Sequence, residues 1–370
     1  MYFKKGRFFW KMIFVFIFFL ISFPCFGPSV KSQTPGISPE KLGPSADVPF
    51  IDIHNHLITE GGSRSMPDFP GAVKTALAAM DKLGVQKMLI LPPPFPPGHR
   101  GQYTADAFLR VIKKYPDRFG FLDGGGSLNI MIQQAAQEQT LSPGLKARFE
   151  KEAEQILAQG ALGFGEITAL HFSLHPDHPF MEAPPDQPLF LLLSDIAARY
   201  DVPIDLHMEA VPEDMPLPDD PRLESANNPK TLTANIPALE RLLDHNPKVR
   251  IIWDHVGWCN TGRRTPALCR ELLSRHTNLY MSFKISPDSN PACRPLMPES
   301  EIKPEWLELI KDFPDRFLIG TDQFYASPGS NVRGGPQRNS GTKILLSWLP
   351  RDLALKVAVE NPKMVFRLAD

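Results

Sequence analysis

Two histidines one residue apart open the chemistry of this chain. The run Phe50-Ile51-Asp52-Ile53-His54-Asn55-His56 reads as a β-strand. Strand side chains alternate faces, so His54 and His56 point the same way, and two imidazoles on one face chelate a divalent metal well. Taken alone, such a pair could equally be exposed loop histidines. Three further residues remove that isolation. His207 closes Pro203-Ile204-Asp205-Leu206-His207, His255 follows Ile251-Ile252-Trp253-Asp254, and Asp322 closes the run from Phe317. Five groups able to bind a metal or carry a proton thus stand at the C-terminal ends of strand-like runs, where unrelated core or surface residues would not be expected to collect.

The elements that must position them follow one rhythm. Eight β-rich runs, Phe50–His56, Lys87–Leu91, Phe119–Leu122, Ala161–Ile167, Pro203–Met208, Arg250–His255, Leu279–Ile285 and Phe317–Asp322, alternate with stretches of helical periodicity at 71–83, 104–115, 145–159, 188–200, 235–245, 265–275, 304–312 and 340–348. Connections from helix to strand are short and those from strand to helix are longer. This pattern predicts one α/β domain over residues 50–370, a (β/α)8 TIM-like barrel whose active face lies at the C-terminal strand ends. A doubly wound open sheet is the competing fold. It lacks support because no glycine-rich phosphate fingerprint follows the first run; Gly124–Gly126 follows the third and has turn spacing. No internal repeat is visible.

Composition bounds the partners. The 370 residues carry a net charge of −1, with 42% hydrophobic and 22% charged. That suits a globular core and gives no basic face for nucleic acid. The 39 prolines gather at expected loops, as in the run 92–97. The N-terminus differs in kind. Lys4, Lys5, Arg7 and Lys11 precede an apolar run from Met12 to Phe23, which Pro24 ends. A helix of that length spans about 18 Å, short of a hydrocarbon core of roughly 30 Å. The expectation is a signal peptide over 1–27 (cleavage near Ser32 is the other position), then a Pro/Ser-rich linker over 28–49 and export to the periplasm or exterior. Membrane contact is expected only through an uncleaved segment; a lipid on Cys25 is disfavoured by its flanking residues. Beyond the signal remain Cys259, Cys269 and Cys293. They allow one disulfide, with a local Cys259–Cys269 bridge as one pairing that the sequence does not decide.

With these pieces assembled, the chain resembles the amidohydrolase superfamily, and most of all its amidohydrolase-related branch, which includes aminocarboxymuconate semialdehyde decarboxylase. Carrying the resemblance are Asp52-Ile53-His54-Asn55-His56, His207, Asp254-His255-Val256-Gly257, Gly320-Thr321-Asp322 and Glu360-Asn361-Pro362 with Val365-Phe366, in the family's order. The resemblance implies that His54, His56 and His207 bind the metal. Asp322 would bind it weakly and act as general base on the attacking water. His255 would be a second proton carrier or a ligand of a second ion. The expected ion is zinc, with manganese or iron suiting the same ligands. As alternatives outside this role, His255 could be a core histidine and Asp322 a helix cap.

Glu166 closes the fourth run and resembles the strand-four metal ligand of TatD-like nucleases in the same superfamily. It would then bridge two ions; the other reading has it orient a ligand histidine by hydrogen bonding. Asp205 should share the face of His207. Lys284, Arg294 and Trp258 are the expected substrate contacts, and Arg263, Arg264 and Arg333 are further loop cations. A ring of cations suits a carboxylate-bearing small molecule. Phe95 and Tyr325 are candidates for an apolar wall, the segments 168–187 and 209–233 for lids, and His171, His175 and His178 for loop histidines. The expected reaction is hydrolysis of an ester, lactone or amide. Non-oxidative decarboxylation of an unsaturated or aromatic acid and a silent ligand-binding barrel are the competitors.

Overall fold

The computed structural model describes Ser45 and residues 47–58, 68–174, 178–298, 301–328, 330 and 337–369. The expected signal peptide, most of the expected linker, His175 and Arg333 lie outside the described residues.

Eight parallel strands form the frame: β1 (Phe50–Leu57), β2 (Val85–Ile90), β3 (Phe119–Phe121), β4 (Phe164–His171), β5 (Pro203–Met208), β6 (Arg250–Val256), β7 (Leu279–Phe283) and β8 (Phe317–Ile319). Except at β3 and β4, each pairs with its sequence neighbour, and β8 pairs back onto β1. Between β3 and β4 the ring is completed by Asp123–Gly124, which continues β3 after one residue and pairs with Phe164–Gly165. The sheet is therefore a closed barrel, as the alternation of elements predicts.

A helix occupies each of the eight predicted intervals, from Phe69–Leu83 to Gln337–Trp348. Several begin on sequence signals that double as loop signals. Proline stands in the first turn of the helices Pro143–Ala158, Pro188–Arg199, Pro266–Arg275 and Pro304–Asp312, where its missing N–H costs nothing. Ser142 Oγ accepts from Leu145 N at 3.1 Å and Thr265 Oγ1 from Leu268 N at 3.3 Å, closing two of these N-termini. Outside the predicted intervals lie the C-terminal helices Arg351–Leu355 and Asn361–Phe366 and, between β3 and β4, the helix Leu128–Glu138. Its buried Leu128, Ile132 and Ala135 follow helical spacing, but Asn129 and Gln133 are buried among them and blur the apolar stripe.

Two apolar clusters hold the barrel. The larger lies between the strands and the outer helices. The smaller joins Ile51, Leu89, Ile252 and Leu318 to Val365 and Phe366, so the C-terminal helix Asn361–Phe366 packs onto the interior of the ring. Asn361 Nδ2 donates to the carbonyls of Pro314 and Phe317, each at 2.8 Å. Ahead of β1, Ser45 Oγ donates to Leu349 O at 2.9 Å and Val48 is fully buried.

Candidate metal centre

Bulges aim the site. From Asp52 to Asn55, β1 advances three residues while its partner β2 advances two, from Met88 to Ile90. The extra residue breaks strict alternation. Asp52 faces outward to accept from Thr321 N at 3.0 Å and Thr321 Oγ1 at 2.6 Å, while His54 and His56 both face the interior. The same three-against-two count occurs in β4 between Phe164 and Ile167, and in β6 between Trp253 and Val256. Those bulges contain Glu166, and Asp254 with His255. At His255 and Asp322 the backbone is left-handed, with φ of 64° and 52°, outside the β region; His255 takes this conformation within the β6 bulge and Asp322 past the end of β8. Gly320 lets two walls meet: a Cβ there would stand 3.0 Å from Ser282 Cβ and 3.1 Å from His54 Cβ.

The resulting cluster is buried and dense. His54 Nε2 and His56 Nε2 stand 3.2 Å apart. His56 Nδ1 lies 2.9 Å from Leu91 O, and His54 Nδ1 lies 3.0 Å from the Asp205 carboxylate. Both partners only accept, so each Nδ1 carries the hydrogen and each Nε2 of the neutral ring presents a lone pair. Two lone pairs facing each other repel unless a proton or a cation lies between them. Two ligands of one ion, with bonds of about 2.0–2.1 Å, stand roughly 3 Å apart, which the observed spacing matches. Asp322 Oδ1 is 3.2 Å from His56 Nε2. The donor set of His54, His56 and Asp322 therefore fits a divalent ion.

Glu166 faces both halves of the cluster. Its Oε2 is 3.4 Å from His54 Nε2 and 3.4 Å from His56 Nε2. Its Oε1 is 2.6 Å from His207 Nδ1 and 3.4 Å from His255 Nε2. His255 Nε2 is in turn 3.0 Å from His207 Nδ1. The carboxylate can hence serve either reading, as a ligand shared by two donor groups or as an anchor for His207. Below lie Asp205 and Asp254, both fully buried, and Ser282 Oγ donates to Asp254 at 2.9 Å.

Electrostatics follow from this crowding. Burial opposes charge on His54, but the carboxylates of Asp205, Glu166 and Asp254 outweigh it and raise its pKa well above the ordinary value. Burial likewise opposes the Glu166 carboxylate, and the charge on His54 with hydrogen bonds from His207 and His255 pulls it well below the usual range. Both shifts describe a site that demands positive charge. Burial and the Lys284 ammonium hold His255 neutral. Against burial, Lys284 and Arg338 keep Asp322 ionised well below the usual carboxylate range.

Above the cluster opens a cavity of about 350 Å3. Lys284 and Trp258 both line it, and the ammonium sits 3.7 Å from the centre of the indole ring. Lys284 Nζ is 2.5 Å, and Arg338 Nη1 2.9 Å, from Asp322 Oδ2. Phe95, Phe324, His171 and His178 complete much of the wall. The remaining cations stand elsewhere. Arg294 is outside this lining and donates to Ser289 O at 2.8 Å. Arg264 is buried, stacks on Trp253 at 4.6 Å and donates to the carbonyls of Asp254 and Met208. Arg263 is exposed. Tyr325 lies in the outer core cluster instead of the cavity. Arg338 and Phe324 went unnoticed in the sequence; each follows the eighth strand, one in a helix start and one beside the expected Tyr325.

The structure decides the cysteine pairing that the sequence leaves open. Cys259 bonds Cys293, bridging the loops after β6 and β7, and Cys269 is free and buried on the inner face of its helix. The sequence separation of 34 residues exceeds the local one because those two loops adjoin across the barrel rim.

Comparisons with known proteins agree with this architecture. No curated protein matches the chain. Among solved structures, dihydroxybenzoic acid decarboxylase from Polaromonas sp., with bound manganese and 2-nitroresorcinol, is similar at 17% identity over 86% of this chain and 97% of that one, with a TM-score of 0.50. Dihydroorotase from Saccharomyces cerevisiae, in complex with 5-fluoroorotic acid, is similar at 13% identity over 87% and 85%, with a TM-score of 0.50. At such identities the likeness is one of fold. The amidohydrolase family model matches residues 51–368, nearly the whole barrel, and the chain belongs to the amidohydrolase family.

Proposed function

We propose that this protein is an exported, metal-dependent hydrolase that directs water onto an ester, lactone or amide bond of a small carboxylate-bearing substrate. The observation that carries the reading is the pair of inward lone pairs on His54 and His56, 3.2 Å apart, with Asp322 Oδ1 at 3.2 Å. His54, His56, His207 and Asp322 would hold the ion, most readily zinc, with Glu166 either binding it directly or bridging to a second. A divalent ion supplies two things there: it lowers the pKa of a water to about 7 and polarises a substrate oxygen. Asp322 would accept the proton of the attacking water and hand it on to the departing group, while His255, held neutral, would position that water or polarise the substrate. Lys284 and Arg338 hold Asp322 in place and offer positive charge to a substrate carboxylate, while Trp258 forms an apolar wall. Export is supported by the Cys259–Cys293 disulfide, a bond that persists in oxidising compartments, together with the charged and apolar N-terminal run.

Non-oxidative decarboxylation is a second reading, favoured by the clamp on Asp322. A carboxylate bound by two cations is a weak base, and loss of carbon dioxide from an acid needs a proton donor at carbon more than a strong base at water.

Metal analysis of the purified protein tests the shared premise. We expect one or two equivalents of a transition metal, lost in the double variant His54→Ala/His56→Ala. No metal in the unaltered protein, even after reconstitution with zinc and with manganese, would sink both readings. A screen of lactones, aryl esters and aromatic carboxylates, with carbon dioxide release monitored, then separates them.

A further inference from the structure

His171 ends β4 and continues the strand past the barrel rim, where His171 pairs with Met181 and Leu170 with Glu182 in an antiparallel hairpin. Its ring borders the proposed ligand His207, with centroids 4.9 Å apart, and the His178 ring centroid lies 4.6 Å from it. His171 Nδ1 is 3.2 Å from Pro179 O. A carbonyl only accepts, so Nδ1 carries the hydrogen, and in the neutral ring Nε2 presents a lone pair. That nitrogen has no partner among the described residues, and the ring lines the cavity.

The support beneath His171 is built from buried polar contacts. Asn129 Oδ1 accepts from Thr168 N at 2.9 Å and Gln133 Nε2 donates to Thr168 O at 2.8 Å, so the helix Leu128–Glu138 grips β4 three residues before His171. The far side is tied as well, because Asn228 Oδ1 accepts from Ser173 N at 2.8 Å and Asn228 Nδ2 donates to Ser173 O at 2.8 Å. Such bracing holds a side chain in one place.

Topology then gives direction. In a closed ring of eight strands, β4 stands opposite β8, and β3 opposite β7. Lys284 follows β7 and Asp322, clamped by Arg338, follows β8. The cavity is thus cationic on one side and offers an acceptor nitrogen on the other, with the metal donors between. We infer that His171 is a substrate-binding residue that accepts a hydrogen bond from a hydroxyl or N–H group, and that the substrate carries this donor at the end remote from its carboxylate. The inference rests on the proposed carboxylate-binding reading of the same site.

Calorimetric titration of the zinc-reconstituted protein with benzoate, 3-hydroxybenzoate, 4-hydroxybenzoate and the two methyl ethers tests it. The expected result is that at least one hydroxybenzoate binds about three- to ten-fold more tightly than benzoate and than its own ether, the range that one neutral hydrogen bond supplies. His171→Phe should abolish that preference while still binding benzoate. His171→Gln, which keeps an acceptor, should restore part of it, with metal content equal to the unaltered protein in both variants. Benzoates that bind without hydroxyl preference, or a preference that survives in His171→Phe, would overturn the role of His171 alone. If no benzoate binds, the carboxylate reading fails, and the inference with it.

Discussion

Asp322 answers to two sides at once. One oxygen faces His56 at 3.2 Å, and the other is held by Lys284 at 2.5 Å and Arg338 at 2.9 Å. The clamp fixes its orientation and keeps it ionised, while the inward oxygen stays available for metal and proton. With the proposed ligands His54, His56 and His207, Asp322→Asn should keep the metal and lower kcat/KM on whatever substrate the screen finds by about 100-fold or more; near-normal turnover would remove Asp322 from the base role. Lys284→Met removes a buried cation beside the cavity and should weaken binding of carboxylates by about 10- to 100-fold, the range for hydrogen bonds to charged groups, measured by the same titration. At this scale the sequence was legible where residue type and strand end coincide, as for His54, His56, His207, His255 and Asp322. It was not legible for arginines. Arg264 and Arg338 both follow a barrel strand on the active face, yet one turns inward to brace Asp254 and Met208 while the other reaches the cavity. A long, flexible side chain leaves no periodicity from which to read its direction.

Elements explain what residue types cannot. Alternation alone would place Asp52 on the face of His54, and the bulge in β1 separates them. A bulge is one extra residue against a partner strand, so it is visible only in the pairing. The predicted strands and helices were legible because their periods differ and because prolines and hydroxyl caps mark the starts. The helix Leu128–Glu138 was missed because the polar residues that grip β4 interrupt its apolar face. Pairing between loops was equally hidden, as the Cys259–Cys293 bond shows. That bond lies beside Trp258 and joins its loop to the one that follows Lys284. In the double variant Cys259→Ala/Cys293→Ala we expect stability to fall by about 3–4 kcal/mol, the chain-entropy scale for a loop of this size. Affinity for carboxylates should weaken while metal content holds, because His54, His56 and Asp322 sit on other elements. Unchanged denaturation midpoints and unchanged affinity would show that the bridge is incidental to the rim.

For the molecule as a whole, the fold gathers charge at one end of the barrel and closes the interior with Val365 and Phe366 below. Buried carboxylates away from the Lys284–Arg338 pair answer to burial, to their own hydrogen bonds and to the charges nearest them. Asp123 is such a group. It stands where β3 is continued toward β4, and accepts from Gly124 N at 2.7 Å and Ala105 N at 3.1 Å. Burial, helped by the nearby carboxylates of Glu152 and Asp106, raises its pKa more than these two bonds lower it, to about 6. A carboxyl whose pKa is higher in the folded state than in the unfolded chain favours folding in its protonated form. Its contribution is complete below about pH 4 and is lost as pH rises through about 6. The loss is at most about 3 kcal/mol, from a shift of roughly two units. Metal binding runs the other way, because protonated imidazoles release the ion as pH falls. Urea denaturation with chelator present separates the two. Between pH 4 and 6.5, the stability of the unaltered protein should fall relative to Asp123→Asn, whose side chain cannot ionise. A difference between the two proteins that stays constant over this window would mean that Asp123 titrates no differently folded than unfolded, and that its two backbone donors fully offset its burial.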